Sequence, residues 1–172
     1  MSAAARQLFR QGLLHGRSIA LTGPIPGPVG ELLGELGARL SQLDPEPLAD
    51  EQRASSWAKQ AAPLDALICG RDAGDGLLTD TWAAVRAVAT EAFIPQRAGR
   101  IVLLSPHGDA KPPAAALENL ARTLSVEWAR FGVTAVAVAP GAAATDAQVA
   151  DLVAFLCSEA GAYFSGCRLD LR

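Results

Sequence analysis

Tyrosine, asparagine and lysine are the scarce side chains of this 172-residue chain, which has one Tyr, one Asn and two Lys. These types commonly hold a polar substrate or move a proton, so few places remain where such chemistry is built. Cysteine is sparse as well. Cys69, Cys157 and Cys167 are an odd number without a CxxC pair. That argues against a disulfide framework or a zinc site and reads them as buried small hydrophobes, with no metal expected. Positive charge is not in excess: 15 basic residues face 18 acidic ones, for a net −3. The footprint that grips a phosphate backbone is therefore missing, and nucleic acid is excluded as a partner. Long apolar runs are missing too. Mean hydropathy is high at +0.20, yet charge, Pro or Gly breaks each apolar stretch short of the ~20 residues of a membrane helix. Residues 1–17 lack the apolar core and cleavage pattern of a secretory signal. The expectation is a cytoplasmic protein without a membrane partner.

Half of the residues are apolar, enough for one compact core that buries ~70% of the unfolded surface. Residues 1–16 read as an amphipathic N-terminal extension, where Leu8, Phe9, Leu13 and Leu14 dock as a short helix. Residues 17–172 read as a single Rossmann-like domain. Strands are expected at Ser18–Leu21, Arg39–Leu43, Leu64–Cys69, Arg100–Leu104, Val133–Ala139 and Arg168–Leu171. Most are apolar on successive residues, as a parallel sheet covered on both faces requires. Helices are expected at Val29–Leu36, Asp50–Ala61, Asp80–Phe93, Pro113–Phe131 and Asp146–Ser158. Leu117, Leu120, Leu124 and Trp128 form one stripe, and Val149, Leu152, Val153 and Leu156 form another. This alternation predicts an α/β fold: a three-layer, doubly wound parallel sheet with right-handed crossovers.

The first strand runs into Thr22-Gly23-Pro24-Ile25-Pro26-Gly27-Pro28-Val29-Gly30 and then into a helix. Strand, glycine turn and helix N-terminus together aim backbone N–H groups and a positive dipole at a pyrophosphate. Further segments follow in a fixed order: Leu64 to Ile68, Gly99 to Val102, Ala114 to Glu127, Val136 to Thr145, and Val149 to Gly166. On these pieces the chain from Gly16 onward resembles a short-chain dehydrogenase/reductase, and it is similar to the 3-ketoacyl-acyl-carrier-protein reductase branch.

The resemblance implies an NAD(P)-dependent oxidoreductase, but the residues that would do the chemistry are replaced. In that family a Tyr donates the proton, a Lys four residues on lowers its pKa, and a Ser and an Asn complete the site. Here Ala110 stands at the Tyr position and Ala114 at the Lys position. Pro106 stands at the Ser position, and Ala89 at the Asn position. Cys69-Gly70-Arg71-Asp72 replaces the family's Asn-Asn-Ala-Gly turn. Tyr163 falls where the family uses an aromatic residue for packing. No catalytic residue is assigned. Seven residues separate Ser105 from Pro113, and a helix begins directly after Thr145, so the substrate loop is shortened and the lid is missing. Residues 44–64 are too few for helix, strand and helix. One edge strand is therefore lost, leaving a five- or six-stranded sheet of flavodoxin-like order at that edge.

Candidate cofactor-binding residues remain: Thr22, Gly23, Gly27, Gly30, Asp44, Pro140, Gly141 and Thr145. Asp44 lies 21 residues past Gly23, the spacing of a carboxylate on the adenosine ribose, which favours NAD over NADP. Pro140-Gly141 with Thr145 resembles the turn that meets the nicotinamide amide. Against binding, Pro24, Pro26 and Pro28 remove three donors from the loop. The expectation is that NAD binds weakly or not at all. The same glycines and prolines also make a rigid turn with Pro28 at the helix start, and Asp44 before Pro45 also reads as a turn residue. Ser105, His107 and Asp109 invite a triad reading but are too close in sequence for its geometry, and Lys111 before two prolines reads as a solvated loop lysine.

Three functions follow. The leading one is a catalytically inactive domain that forms a homodimer or a hetero-oligomer with a related reductase. The resemblance places the dimer interface on Asp80–Phe93 and Pro113–Phe131, where Ala114, Ala115, Ala116 and Ala121 leave room for close contact. The alternatives are an NAD(P)-dependent oxidoreductase using His107 or Lys111 as an atypical acid, and a nucleotide-binding sensor.

Overall fold

A computed structural model describes residues 8–43, 51–70, 76–108 and 111–171. Asp44, Arg71, Asp72, Asp109 and Ala110 lie outside the described residues. Six strands alternate with five helices: β1 Ser18–Thr22, α1 Gly27–Glu35, β2 Arg39–Leu43, α2 Glu51–Ala61, β3 Ala66–Gly70, α3 Leu77–Val88, β4 Gly99–Leu104, α4 Lys111–Glu127, β5 Val133–Pro140, α5 Asp146–Cys157 and β6 Cys167–Leu171. All strand pairs are parallel. Their order is β2-β1-β3-β4-β5-β6, a doubly wound sheet of flavodoxin-like order at the β2 edge. Among the described residues β2 is the edge strand, and α2 is the element between it and β3.

Side-chain alternation along the strands builds two separate cores. On one face, Ala20, Leu67, Ile101, Leu103, Ala135 and Ala137 meet α2, α3 and α4 through Ala58, Val85, Val88, Leu117, Ala121 and Leu124. On the other, Ile19, Ile68, Val102 and Val136 meet α1 and α5 through Val29, Leu33, Val149 and Val153. Each fully buried Leu, Ile or Val contributes roughly 1.5–3 kcal/mol, so the two cores dominate stability.

The expectation of uniformly right-handed crossovers is corrected at one place. β4–α4–β5 and β5–α5–β6 step the same way across the sheet, yet α4 and α5 lie on opposite faces. Their hands are therefore opposite. The four crossovers before β5 share one hand, which leaves β5–α5–β6 as the exception to the right-handed rule. The physical reason is coverage: three helices already fill the α4 face, and α1 alone cannot cover the other. α5 supplies the second helix there and packs extensively against α1.

Of the expected N-terminal helix, residues 1–7 lie outside the described residues, Leu8 is helical, and the chain then leaves the helix. Residues 11–16 form turns, with Gly12 and Gly16 at φ of 71° and 80°, a conformation that interrupts a helix. Leu14 is nevertheless fully buried, Phe9 and Leu13 pack beside it, and Leu8 is exposed. At the end of α3 a π-turn, Ala89–Phe93, places Phe93 in the core. Gly99 lies so close to that ring that a Cβ would stand 2.2 Å from it. Cys69 and Cys157 are buried and Cys167 is half-buried; burial pushes the Cys157 thiol up to about 12.

Candidate functional site at the carboxyl edge of the sheet

Strand order reverses between β1 and β3, and crevices outside the carboxyl ends of strands at such a point are where open α/β sheets hold ligands. A cleft of about 380 Å³ opens there. Pro24, Ile25 and Pro26 form one wall, and Ser105, Pro106 and His107 after β4 form another, with Pro140 at the end of β5. Thr22 ends β1 fully buried. Gly23 follows at φ 78°, where an L side chain is strained. The loop then folds down onto β3: a Cβ on Gly70 would lie 2.2 Å from the Pro24 carbonyl oxygen and 3.0 Å from Ile25 Cγ1. Ile25 packs into the core shared by α1 and α5.

The donor supply of this loop is small. Pro24, Pro26 and Pro28 carry no N–H, and the Val29 N–H donates to the Pro26 carbonyl at 2.9 Å. Ile25 and Gly27 hold the remaining amides between Pro24 and Val29. Gly27 begins α1 with open space around it, and a Cβ on Gly30 would make ordinary contacts of 3.9 and 4.0 Å with Leu21 and Leu40. Close helix–strand packing therefore does not require the glycine at position 30.

The turn after β5 is committed to structure. Gly141 N–H donates to the Leu171 carbonyl at 2.7 Å, and Gly108 N–H donates to the Pro140 carbonyl at 3.1 Å. Thr145 caps α5. Its hydroxyl accepts from the Gln148 N–H at 3.2 Å, while its own N–H donates to Gln148 Oε1 at 2.8 Å. The structure thus brings the β1 loop and Pro140 to one cleft, whereas Gly141 and Thr145 serve the β6 ladder and the helix cap.

His107 has a partner that sequence proximity did not reveal. Its Nε2 lies 3.5 Å from Asp146 Oδ1, at the start of α5. The Ser105 hydroxyl meets the Pro106 carbonyl at 3.4 Å, the outer limit of a hydrogen bond. Among the described residues no group of three or more His, Cys, Asp or Glu could hold a metal, and no helix is long and apolar enough to cross a membrane.

Solved structures share this arrangement. A hydroxysteroid dehydrogenase from Escherichia coli aligns with a TM-score of 0.75 at 17% identity, covering 93% of this chain and 97% of that one. A 3-alpha-hydroxysteroid dehydrogenase from Pseudomonas sp. B-0831, solved in complex with NADH, aligns with a TM-score of 0.69 at 21% identity, covering 90% and 94%. An oxidoreductase of the short-chain dehydrogenase/reductase family from Burkholderia thailandensis aligns with a TM-score of 0.71 at 21% identity, covering 90% of each chain. The fold is that of the short-chain dehydrogenase/reductases. No family model and no curated protein matches the chain.

The residues that the sequence resemblance aligns with the family's active-site positions are placed as follows. Ala114 lies half-buried in the first turn of α4, Ala89 is fully buried under the π-turn, and Pro106 lines the cleft. Tyr163 does not take the packing role expected for it. It is 93% exposed, and its neighbour Phe164 turns inward to meet Phe155 edge-to-face at 5.6 Å. Ala121 is likewise corrected as an interface residue: it shares the inward stripe of Leu117 and Leu124 and is fully buried against the sheet.

Proposed function

We propose that this chain is a catalytically silent, shortened relative of the short-chain dehydrogenases/reductases that binds a dinucleotide weakly or not at all and acts by pairing with a second copy of itself. The observation that carries the pairing is the outer face of α3 and α4. Trp82 and Trp128 stack across the two helices with ring centroids 6.2 Å apart, and Trp82 keeps 42% of its surface exposed. On the side of α4 turned away from Trp128, Ala115, Asn119, Thr123 and Val126 are exposed and uncharged, next to the exposed Arg122, and on α3 Leu78 is exposed one turn before Trp82. Exposed aromatic and apolar groups on neighbouring helices favour a self-complementary helix interface.

The proposal of chemical silence rests on the alanines and proline at the acid, base and hydroxyl positions and on the donor-poor β1 loop. Losing even two charge-assisted donors facing a pyrophosphate weakens binding roughly a hundredfold or more. Sedimentation equilibrium tests the pairing. The expected mass is that of two chains, and Val126→Glu, at a site that is 78% exposed, is expected to give one. A strict monomer at high concentration sinks the pairing.

A second reading, an oxidoreductase with an atypical acid, draws on His107. It lines the cleft with Asp146 beside it, an arrangement that suits an oriented imidazole. Carbonyl reduction lost in His107→Ala would favour this reading.

A further inference from the structure

A second cleft, of about 590 Å³, opens at the opposite edge of the sheet, where the strands begin. Arg10, His15 and Arg17 line it with Asp65 and Glu159. The strap carrying Arg10 and His15 is held in place. Leu14 is fully buried and its N–H donates to the Leu36 carbonyl at 2.9 Å. A Cβ on Gly37 would lie 3.2 Å from His15 Cα, so strap and turn touch backbone to backbone.

Two arginines and two carboxylates line this cleft, but the carboxylates are already taken up or turned to water. Both oxygens of Asp65 are engaged, Oδ1 by Arg17 at 2.9 Å and Oδ2 by the Ser18 N–H at 2.8 Å. Glu159 is 3.7 Å from Arg17 and 88% exposed, so water screens it. Arg100 lies behind, partly buried, and donates to the carbonyls of Leu156 and Ser158. Burial, and then the charge of Arg17, hold the Arg100 guanidinium below its usual pKa. Among the described residues, no carboxylate stands within ion-pair distance of Arg10 or His15. Arg10, His15 and Arg17 thus line the cleft with one committed carboxylate and one solvated one, and Arg100 adds positive charge near Arg17 from outside the lining.

We propose that this cleft binds a phosphoryl dianion, either inorganic phosphate or the phosphate of a larger molecule. Guanidinium groups meet phosphate oxygens in pairs of charge-assisted hydrogen bonds, and a strap already fixed by Leu14 lowers the ordering cost of binding. The added negative charge relieves the crowding of Arg17 and Arg100.

The test is calorimetric titration of inorganic phosphate into the full chain, with chloride adjusted to hold ionic strength constant. Saturable binding of one phosphate per chain is expected. Arg10→Gln, at an exposed residue without a side-chain partner among the described residues, is expected to weaken it about tenfold or more. Arg122→Gln, on α4, is expected to leave it unchanged. Tighter binding of phenyl phosphate than of phosphate assigns the site to a phosphomonoester; equal or weaker binding assigns it to free phosphate. Absence of saturation at tens of millimolar phosphate, or equal affinity in Arg10→Gln, overturns the proposal.

Discussion

The carbonyl oxygen of Pro24 lies where a Cβ on Gly70 would approach it to 2.2 Å. The β1 loop and the end of β3 therefore touch backbone to backbone across the point where strand order reverses. Gly70→Ala is expected to destabilise the chain by about 1–3 kcal/mol, because backbone must move to admit the methyl group. Urea denaturation measures this, and an unchanged midpoint would show a loop free to yield.

Gly99 and Phe93 stand in a similar relation, with ring atoms in place of a carbonyl. Gly99→Ala puts a Cβ 2.2 Å from the buried ring, at an expected cost of about 1–3 kcal/mol. In a Phe93→Leu background the same change is expected to cost less, since the two residues share one space and their effects do not add. Strict additivity in a double-mutant cycle would count against that contact.

Thr81 is buried, and among the described residues its hydroxyl has no hydrogen-bond partner. Thr81→Val keeps the shape and removes the unpaired group, so stability is expected to hold or to rise by about 1–2 kcal/mol. A clear loss of stability would reveal a partner for the hydroxyl.

Asp151 gives a pH dependence. Burial raises its carboxyl above the ordinary value of 3.8, and among the described residues Oδ1 has no hydrogen-bond partner. A folded pKa above the unfolded one means that the folded chain holds this proton to higher pH. The group's contribution is full below the unfolded pKa and is lost as pH rises through the folded one. Asp151→Asn is therefore expected to raise Tm more at pH 7 than at pH 4. An equal gain at both would assign the effect to something other than ionisation.

The strands were legible because a sheet covered on both faces demands apolar residues in succession, and Val133 to Ala139 supplies them. The helices were legible where a stripe such as Leu117, Leu124 and Trp128 repeats at helical spacing. The hand of β5–α5–β6 was not, because it depends on which face the earlier helices leave bare. Nor was the pairing of His107 with Asp146, which a long stretch of chain separates. Thr145 with Gln148 did carry a local signal, a hydroxyl three residues before an amide, and it marks a helix cap where the family resemblance suggests a cofactor contact. The inward position of Ala121 was not legible, because composition alone does not say which side of a helix a small residue faces.

Titration of NADH into the purified chain, followed by nicotinamide fluorescence, tests most directly the proposal that this chain binds a dinucleotide weakly or not at all. The account predicts a signal that does not saturate at millimolar NADH. Saturation in the micromolar range, accompanied by reduction of a carbonyl compound, would contradict it.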